Sequence, residues 1–287
     1  MDSKLPADTR IGMVSLTISD LQRSLDFYQN GLGLNVLRRE DNVAVLGAGD
    51  AELLKLTALP QARALRGVTG LYHFALLLPN RVELARALRH FMNNSVALQG
   101  FSDHLVSEAI YLADPDGNGI EVYRDRPRSE WPYDGDRVQM ATDPLDLRDL
   151  LAELNDDDDH WSGMPPGTTM GHIHLHVANI PQSERFYRDV LGFELMVRYG
   201  PAASFLAAGG YHHHVGINTW AGASAPPPPA DAAGLRWFTV LLPSQAAVDA
   251  LASRLEGAGA PFQRRNGSIE VKDPSENRIR LRVAPRS

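Results

Sequence analysis

The stretch Met13-Val-Ser-Leu-Thr-Ile-Ser-Asp20 returns later in the chain as His172-Ile-His-Leu-His-Val-Ala-Asn179. Both copies alternate with a period of two, as a half-buried β-strand does. An aromatic pair follows each copy, Phe27-Tyr28 after the first and Phe186-Tyr187 after the second. Each residue of the first copy stands 159 positions before its equivalent, as Met13 does before His172. The chain therefore contains an internal repeat, and this repeat is the main guide to its fold.

A second pair of segments repeats in the same way. Leu71–Pro79 matches Leu235–Pro243, and Ile110–Pro115 matches Ile269–Pro274. Each repeating unit is predicted to form a strand, a helix and three further strands. We therefore predict an α+β fold of four βαβββ modules in tandem, which span residues 9–58, 68–125, 169–221 and 233–284. The first two modules form a predicted domain over 9–125 and the last two a domain over 169–284, joined by a connector over 126–168.

Capping and turn residues place the helices within the modules. The first helix is predicted over Leu21–Leu32, with Ser19 or Asp20 as its N-cap, and the second over Arg81–Met92. Pro181 is predicted to begin the helix of the third module. The Asp116-Gly-Asn-Gly119 stretch predicts a tight turn that leads into the strand carrying Glu121.

The connector has two distinctive segments. Residues 144–154 are amphipathic, and residues 156–159 are four consecutive aspartates. Such a run could bind a cation, but a solvated loop is the favoured interpretation.

Composition limits the classes of function. The chain has 287 residues, a net charge of −7 and no dense cluster of Lys or Arg, which argues against a nucleic-acid partner. It has no cysteine, so disulfides, thiolate metal sites and cysteine nucleophiles are excluded. No apolar run approaches the roughly 20 residues of a membrane span, and we expect a soluble, cytoplasmic protein without a membrane partner. A metal site would have to use histidine and carboxylate, and the chain has ten histidines.

Histidine and glutamate occupy strand positions that suit such a site. His73 lies on the first strand of module 2, Glu121 on its last strand, and His172 on the first strand of module 3. Two histidines and one carboxylate are the ligand set of non-haem Fe(II) enzymes, which leaves positions open for substrate and O₂. His174 and His176 share a strand face with His172, and a polar cavity explains three such imidazoles better than an apolar core does.

Three longer phrases resemble one known superfamily. They are Gly-His-Ile-His-Leu-His-Val (171–177), Tyr-His-His-His-Val-Gly-Ile-Asn (211–218) and Asp-Pro-Asp-Gly-Asn-Gly-Ile-Glu-Val-Tyr (114–123). Together with the repeated module they resemble the vicinal oxygen chelate superfamily, which includes glyoxalase I, bleomycin-resistance proteins and extradiol dioxygenases. The likeness is greatest to the two-domain bacterial catechol 2,3-dioxygenase group. It implies that paired modules curl their mixed sheets into cups with metal ligands pointing inward.

The resemblance implies a role for particular residues. His73, His172 and Glu121 fall on the metal-ligand positions of the family. Tyr111 matches a family Tyr ten residues before the Glu, and His104 matches a His in the loop before that Tyr, although its spacing is two residues shorter.

The resemblance also implies an acid–base histidine on the last strand of module 3. His213 matches it best, and His212 or His214 would take that role if the register differs by one.

The order of the modules departs from that of the family. There the module with the lone His precedes its partner, whereas here His172 comes after His73 and Glu121. At the equivalent positions module 1 carries Met13 and module 4 carries Trp237 and Arg280. Modules 1 and 4 therefore lack the ligands found in modules 2 and 3. Modules 2 and 3 must therefore share a cup, either within one chain or across a dimer. If module 1 pairs with module 2 and module 3 with module 4 instead, the ligands fall into two half-sites, His73 and Glu121 alone would bind metal poorly, and the dioxygenase hypothesis is weakened.

The resemblance implies cleavage of catechol or a substituted catechol by O₂, with Fe(II) or alternatively Mn(II) as cofactor. A glyoxalase-like isomerase or lyase is the second hypothesis, in which His213 would join the three ligands around Ni²⁺, Zn²⁺ or Mn²⁺. A metal-free protein that binds an aromatic drug is the third. A homo-oligomer is compatible with each, and the ring substituents of the substrate are left open.

Overall fold

The computed structural model describes residues 4–155, 161–265 and 267–285. The predicted acidic loop at 156–159 lies outside these ranges. Among the helices described, none has the length and apolar character needed to cross a membrane.

The first half of the chain forms two modules. Module 1 comprises β1 (Arg10–Ile18), α1 (Leu21–Asp26), β2 (Asn35–Glu40), β3 (Val43–Ala48) and β4 (Ala51–Ala58). Module 2 comprises β5 (Gly70–Leu77), α2 (Arg81–Asn93), β6 (Leu98–Asp103), β7 (Ser107–Ala113) and β8 (Gly119–Asp125). The connector then contributes β9 (Tyr133–Asp134), β10 (Arg137–Val138) and α3 (Leu147–Leu151).

The second half repeats the arrangement. Module 3 comprises β11 (Thr169–His176), α4 (Ile180–Arg185), β12 (Glu194–Tyr199), β13 (Ala203–Ala207) and β14 (Val215–Asn218). Module 4 comprises β15 (Gly234–Leu242), α5 (Gln245–Gly257), β16 (Phe262–Arg265), β17 (Ser268–Lys272) and β18 (Arg278–Val283). The predicted α+β class and the four βαβββ modules are confirmed.

The modules pair in a nested order to form two curled eight-stranded sheets. The outer sheet joins modules 1 and 4 in the order β16-β17-β18-β15-β1-β4-β3-β2. The inner sheet joins modules 2 and 3 in the order β12-β13-β14-β11-β5-β8-β7-β6. Modules 2 and 3 thus share a sheet within a single chain. The division into sequence domains 9–125 and 169–284 stays a prediction, since each sheet takes strands from both.

One apolar core joins the two sheets. Leu16 and Phe238 of the outer sheet belong to the same fully buried cluster as Phe74 and Leu175 of the inner sheet. Burial of each such side chain stabilises the folded protein by roughly 1.5–3 kcal/mol. The core therefore holds the inner sheet in a fixed relation to the outer one.

The predicted starts of the first three helices are confirmed to within one residue. Asp20 caps α1, since its carboxylate accepts a hydrogen bond from the backbone N–H of Arg23. The helix ends sooner than predicted, and residues Phe27–Gly31 form a π-helical turn instead. In the connector only Leu147–Leu151 of the amphipathic segment is helical, after an N-cap at Asp146.

A buried tyrosine ties the first two modules together at the turn before β8. The hydroxyl of Tyr28 donates to Asp114 Oδ2 at 2.9 Å, while Asp114 Oδ1 accepts from the backbone N–H of Asp116 and of Asn118. Modules 3 and 4 repeat this contact, with Tyr187 donating to Asp273 Oδ2 at 3.0 Å. The two halves of the chain therefore share this tyrosine–aspartate hydrogen bond as well as their strand order.

A buried carboxylate fastens α2 and the connector to the inner sheet. Glu108 on β7 accepts hydrogen bonds from Arg81 and Arg124, both at 2.8 Å, and pairs with Arg126 at 3.2 Å. Arg81 also reaches Glu153 of the connector at 2.7 Å.

Candidate active site

The register of the inner sheet sets four side chains in a row. Tyr111 on β7 pairs with Glu121 on β8, Glu121 with Ala75 on β5, and Ala75 with His172 on β11. Paired residues of adjacent strands project from the same face of a sheet. Ala75 is small, so it leaves room between the two longer side chains on either side.

The neighbouring row supplies the second histidine. His73 on β5 pairs with Gly119 on β8 and with His174 on β11, which in turn pairs with Gly216 on β14. A Cβ at Gly119 would come within 2.1 Å of the backbone oxygen of Tyr72, and one at Gly216 within 2.8 Å of the His174 ring. The two glycines therefore make the space that the histidines occupy.

These rows bring His73, Glu121 and His172 together. Oε2 of Glu121 lies 3.1 Å from Nε2 of His73 and 3.0 Å from Nε2 of His172, and all three side chains are buried. Two ligands about 2.1 Å from one ion and at right angles to each other would be about 3 Å apart. The spacing of the donor atoms thus suits adjacent positions around one divalent metal ion.

An unsatisfied nitrogen supports the same fit. Within the described residues, the buried Nε2 of His73 has no partner in hydrogen-bonding geometry, although Glu121 is close. Burial of a polar atom without a partner costs free energy, and a metal ion would accept its lone pair. The chemistry of the donor set, two imidazole nitrogens and one carboxylate oxygen, is that of a metal-dependent enzyme.

Charge states in the cluster also suit a cation. Burial would raise the pKa of Glu121, but the adjacent His172 and His73 outweigh it and hold that pKa well below 4.5. Burial lowers the pKa of His73 below 6.5. At pH 7 the carboxylate is therefore ionised and the His73 ring is neutral, which are the forms that bind metal.

Tyr111 and His104 stand beside the cluster. The Tyr111 hydroxyl lies 2.6 Å from Nε2 of His104, whose Nδ1 lies 2.7 Å from the carbonyl oxygen of Ala141. Burial and the nearby Glu121 raise the pKa of Tyr111 well above 10, so its hydroxyl keeps its proton.

The three histidines at 212–214 lie in a turn that directly precedes β14. The expectation that His213 sits on the last strand is therefore wrong. The side chains of His212, His213 and His214 are all buried. In a strand, whose side chains alternate between faces, His213 would point to the face opposite His212 and His214. Of the three, His213 lines the cavity next to the donor cluster, and its ring centroid lies 4.1 Å from that of His172. Burial and the neighbouring imidazoles hold the pKa of His213 well below 6.5, so its ring is neutral at pH 7.

A cavity of about 360 Å³ is lined by His73, His104, Tyr111, Glu121 and His213. Its volume is at the lower end for small-molecule sites, about 300–1,000 Å³, and suits a single ring system. Tyr72 and Trp220 lie at its edge and are about half exposed. The apolar part of its lining includes Phe101, Leu112, Ile120, Met140, Val197 and Phe205.

Some of the site could not be read from the sequence. His174 lines the cavity as expected, whereas His176 lies in the adjoining groove and contacts Asn218 at 2.7 Å. Asp125, which contacts His212 at 2.9 Å, was missed. The available signal was its position four residues after Glu121, on the same face of β8.

The outer sheet has other chemistry at the equivalent positions. The Arg280 guanidinium lies 4.0 Å above the Trp237 ring, and its Nε donates to Glu270 at 3.0 Å. Among the described residues, the single cluster of three close metal-binding side chains is the one in the inner sheet.

Fold and site together define the class. The chain belongs to the Glyoxalase/Bleomycin resistance protein/Dioxygenase superfamily, whose family model matches residues 10–122 and 169–281. It is 48% identical over 272 residues to "Catechol-2,3-dioxygenase" of Bacillus subtilis (strain 168), an alignment that covers 93% of this chain and 94% of that protein.

Solved structures share the fold at low sequence identity. A protein of Bacillus subtilis subsp. subtilis str. 168 superposes with a TM-score of 0.65 at 12% identity, over 99% of this chain and 87% of that one. Glyoxalase I from Zea mays superposes with a TM-score of 0.58 at 15% identity, over 96% of this chain and 92% of that one.

Proposed function

We propose that this protein is an extradiol ring-cleaving dioxygenase, similar to catechol 2,3-dioxygenase, that opens catechol or a substituted catechol with O₂. The observation that carries the proposal is the convergence of His73, His172 and Glu121, of which His73 and Glu121 line a cavity sized for one ring. The 48% identity to the Bacillus subtilis catechol-2,3-dioxygenase supports it, since that relative covers nearly the whole chain.

The cofactor we propose is Fe(II), with Mn(II) as the alternative, held by His73, His172 and Glu121. Two histidines and one carboxylate form the facial ligand set of non-haem Fe(II) oxygenases. When bound, the metal would supply the Lewis acidity that lowers the pKa of the catechol hydroxyls and the redox chemistry that O₂ activation requires.

The protein side chains would position the substrate and move its protons. Tyr111, oriented by its hydrogen bond to His104, would accept a hydrogen bond from one substrate hydroxyl. The neutral ring of His213 would accept the proton of the second hydroxyl and return it later as a general acid. The apolar walls would pack against the ring and keep bulk water away. A cytoplasmic location and a homo-oligomeric state both stay predictions.

The test is reconstitution with Fe(II) under anaerobic conditions, followed by catechol and air. Cleavage next to the diol would give a yellow 2-hydroxymuconic semialdehyde-type product, with one O₂ consumed per ring opened. Parallel reconstitution with Mn(II) would decide between the two metals.

Two variants complete the test. Glu121→Ala should lose both metal and activity. Glu270→Ala is the matched control, because Glu270 is a largely buried glutamate of the outer sheet that pairs with Arg278 and Arg280. It should keep its iron. Full activity in Glu121→Ala would refute the assignment.

The same experiment separates the other hypotheses. Bound metal without O₂ uptake would favour a glyoxalase-like isomerase or lyase, since glyoxalase I from Zea mays has the same fold. Failure to bind metal at all would favour a metal-free protein that binds aromatic compounds.

A further inference from the structure

The geometry points to Asp125 and His212 as positioning residues that hold His213 in one tautomer and one orientation, with Nε2 unprotonated and free for the substrate. The inference rests on the proposed function, because it concerns the histidine that would exchange protons with the catechol. Neither Asp125 nor His212 lines the cavity, so both would act through His213.

Three side chains form a continuous line of contacts that ends at the cavity. Oδ1 of Asp125 lies 2.9 Å from Nε2 of His212. Nδ1 of His212 lies 2.8 Å from Nδ1 of His213. His213 has its Nδ1 engaged in this way, which leaves Nε2 as the nitrogen available to the cavity that its ring lines.

The direction of these hydrogen bonds follows from the carboxylate. An ionised aspartate only accepts, so Nε2 of His212 must donate to it. In a neutral imidazole the other nitrogen is then an acceptor, so Nδ1 of His212 accepts from Nδ1 of His213. With its proton on Nδ1, the neutral His213 ring carries a lone pair on Nε2. That is the form that can take a proton from a substrate hydroxyl.

Neighbouring side chains hold the line in place. The hydroxyl of Tyr211 donates to Oδ2 of Asp125 at 2.9 Å, which fixes the carboxylate. His212 is fully buried, and the ring of Trp131, from the connector, lies 5.5 Å from it, centroid to centroid. Exclusion of water strengthens hydrogen bonds in such a setting.

Two substitutions break the line at different points. Asp125→Asn offers His212 either a donor or an acceptor, so the tautomer is no longer imposed. His212→Phe keeps an aromatic ring against Trp131 but has no nitrogen. In each variant we expect kcat to fall roughly 10- to 100-fold, the usual effect of losing a partner that orients a site residue, with KM for catechol and iron content within twofold of the parent.

The decisive control is the same substitution without His213. If Asp125 acts through His213, Asp125→Asn should cost nothing further in a His213→Gln background. An equal fall in both backgrounds, or a loss of iron in Asp125→Asn, would overturn the proposal in favour of a general structural role.

Nitrogen-15 NMR of the zinc-loaded protein gives a readout independent of activity. Zn(II) serves as a diamagnetic ion, and the His213 resonances are assigned by their loss in His213→Gln. We expect a protonated Nδ1 and an unprotonated Nε2 in the parent, and a mixture of tautomers in Asp125→Asn. A protonated Nε2 in the parent, or an unchanged tautomer in the variant, would refute the inference. If the parent fails to cleave catechol, the proposed function fails, whereas this spectrum still decides the tautomer.

Discussion

The hydroxyl oxygen of Tyr111 lies 2.6 Å from Nε2 of His104. His104 Nδ1 faces the carbonyl oxygen of Ala141 at 2.7 Å, so in the neutral ring Nδ1 donates and Nε2 accepts. The tyrosine proton is therefore directed at His104, and the tyrosine oxygen keeps a lone pair for a donor in the cavity. The Tyr111 oxygen, held at a fixed angle by His104, would accept a hydrogen bond from a substrate hydroxyl.

Replacement of Tyr111 by Phe should remove that acceptor and leave the metal ligands in place. We expect kcat/KM for catechol to fall about 10- to 100-fold with iron content unchanged, as measured by steady-state kinetics and metal analysis. Tyr133→Phe is the control, since Tyr133 is exposed and lies outside the cavity lining. Parental kinetics in Tyr111→Phe would exclude Tyr111 from substrate binding.

The repeated tyrosine–aspartate contact allows a matched comparison between the turn before β8 of the inner sheet, which holds Asp114, and its outer-sheet equivalent before β18, which holds Asp273. Tyr28→Phe and Tyr187→Phe each leave a buried aspartate without one donor, and each should lower the free energy of unfolding by about 1–3 kcal/mol. Only Tyr28→Phe should also weaken metal binding, because Asp114 shapes the turn that leads into Glu121. Metal titration and chemical denaturation of both variants test this, and equal metal affinities would contradict it.

Gly171 controls the fit of the strand that carries His172. A Cβ at this position would lie 1.8 Å from the hydroxyl oxygen of Tyr123, which is 2.7 Å from that of Tyr211. Gly171→Ala should displace Tyr123 and weaken metal binding at least tenfold, measured by competition with a chromophoric chelator. Gly257→Ala is the control, since its Cβ would meet open space, and it should bind metal as the parent does. Parental affinity in Gly171→Ala would show that β11 can shift without cost.

The ion pairs of Glu108 predict a pH-dependent contribution to stability. Burial would raise the pKa of Glu108, but its hydrogen bonds with Arg81 and Arg124 outweigh burial and hold the pKa below 4.5. A carboxyl with a lowered folded-state pKa stabilises the fold above its unfolded pKa, and the contribution is lost as pH falls through the folded value. At pH 7, Glu108→Gln should therefore cost about 3 kcal/mol.

Urea denaturation across pH gives the measurement. The difference in free energy of unfolding between the parent and Glu108→Gln should narrow as pH falls below 4.5. Glu52→Gln is the control, because Glu52 pairs with Arg38 at the surface and should cost less than about 1 kcal/mol. A gap that stays constant down to low pH would mean that Glu108 acts by packing and not by charge.

The fold was predictable because the sequence signals within each repeated module are local. Period-two strands, the Asp20 cap and the turn after Asp114 are each encoded by a few neighbouring residues, and the constant offset of 159 aligned them. The equivalence also indicated that Met13 and Trp237 occupy positions that His172 and His73 hold in the inner sheet. Modules 2 and 3, which carry the proposed ligands, were predicted to share a cup, and they are paired in one sheet.

Other parts of the site depend on contacts between distant segments. The histidine turn at 211–214 contains no periodic signal, and Asp125 meets His212 only because β8 and β14 lie in one curled sheet. Trp131 reaches the same region from a connector whose path no local pattern specifies. Such contacts join residues far apart in sequence, and short-range patterns carry no information about them.

The nested pairing of the modules has a consequence for biosynthesis. The inner sheet is complete once Asn218 has left the ribosome, whereas β1 must wait for β15 at Gly234–Leu242. Chains fold as their N-terminal parts emerge, and an unpaired strand edge invites association with other chains. We expect the nascent chain to assemble its inner sheet first and to leave one edge of β1, the edge opposite β4, unpaired until β15 has been synthesised.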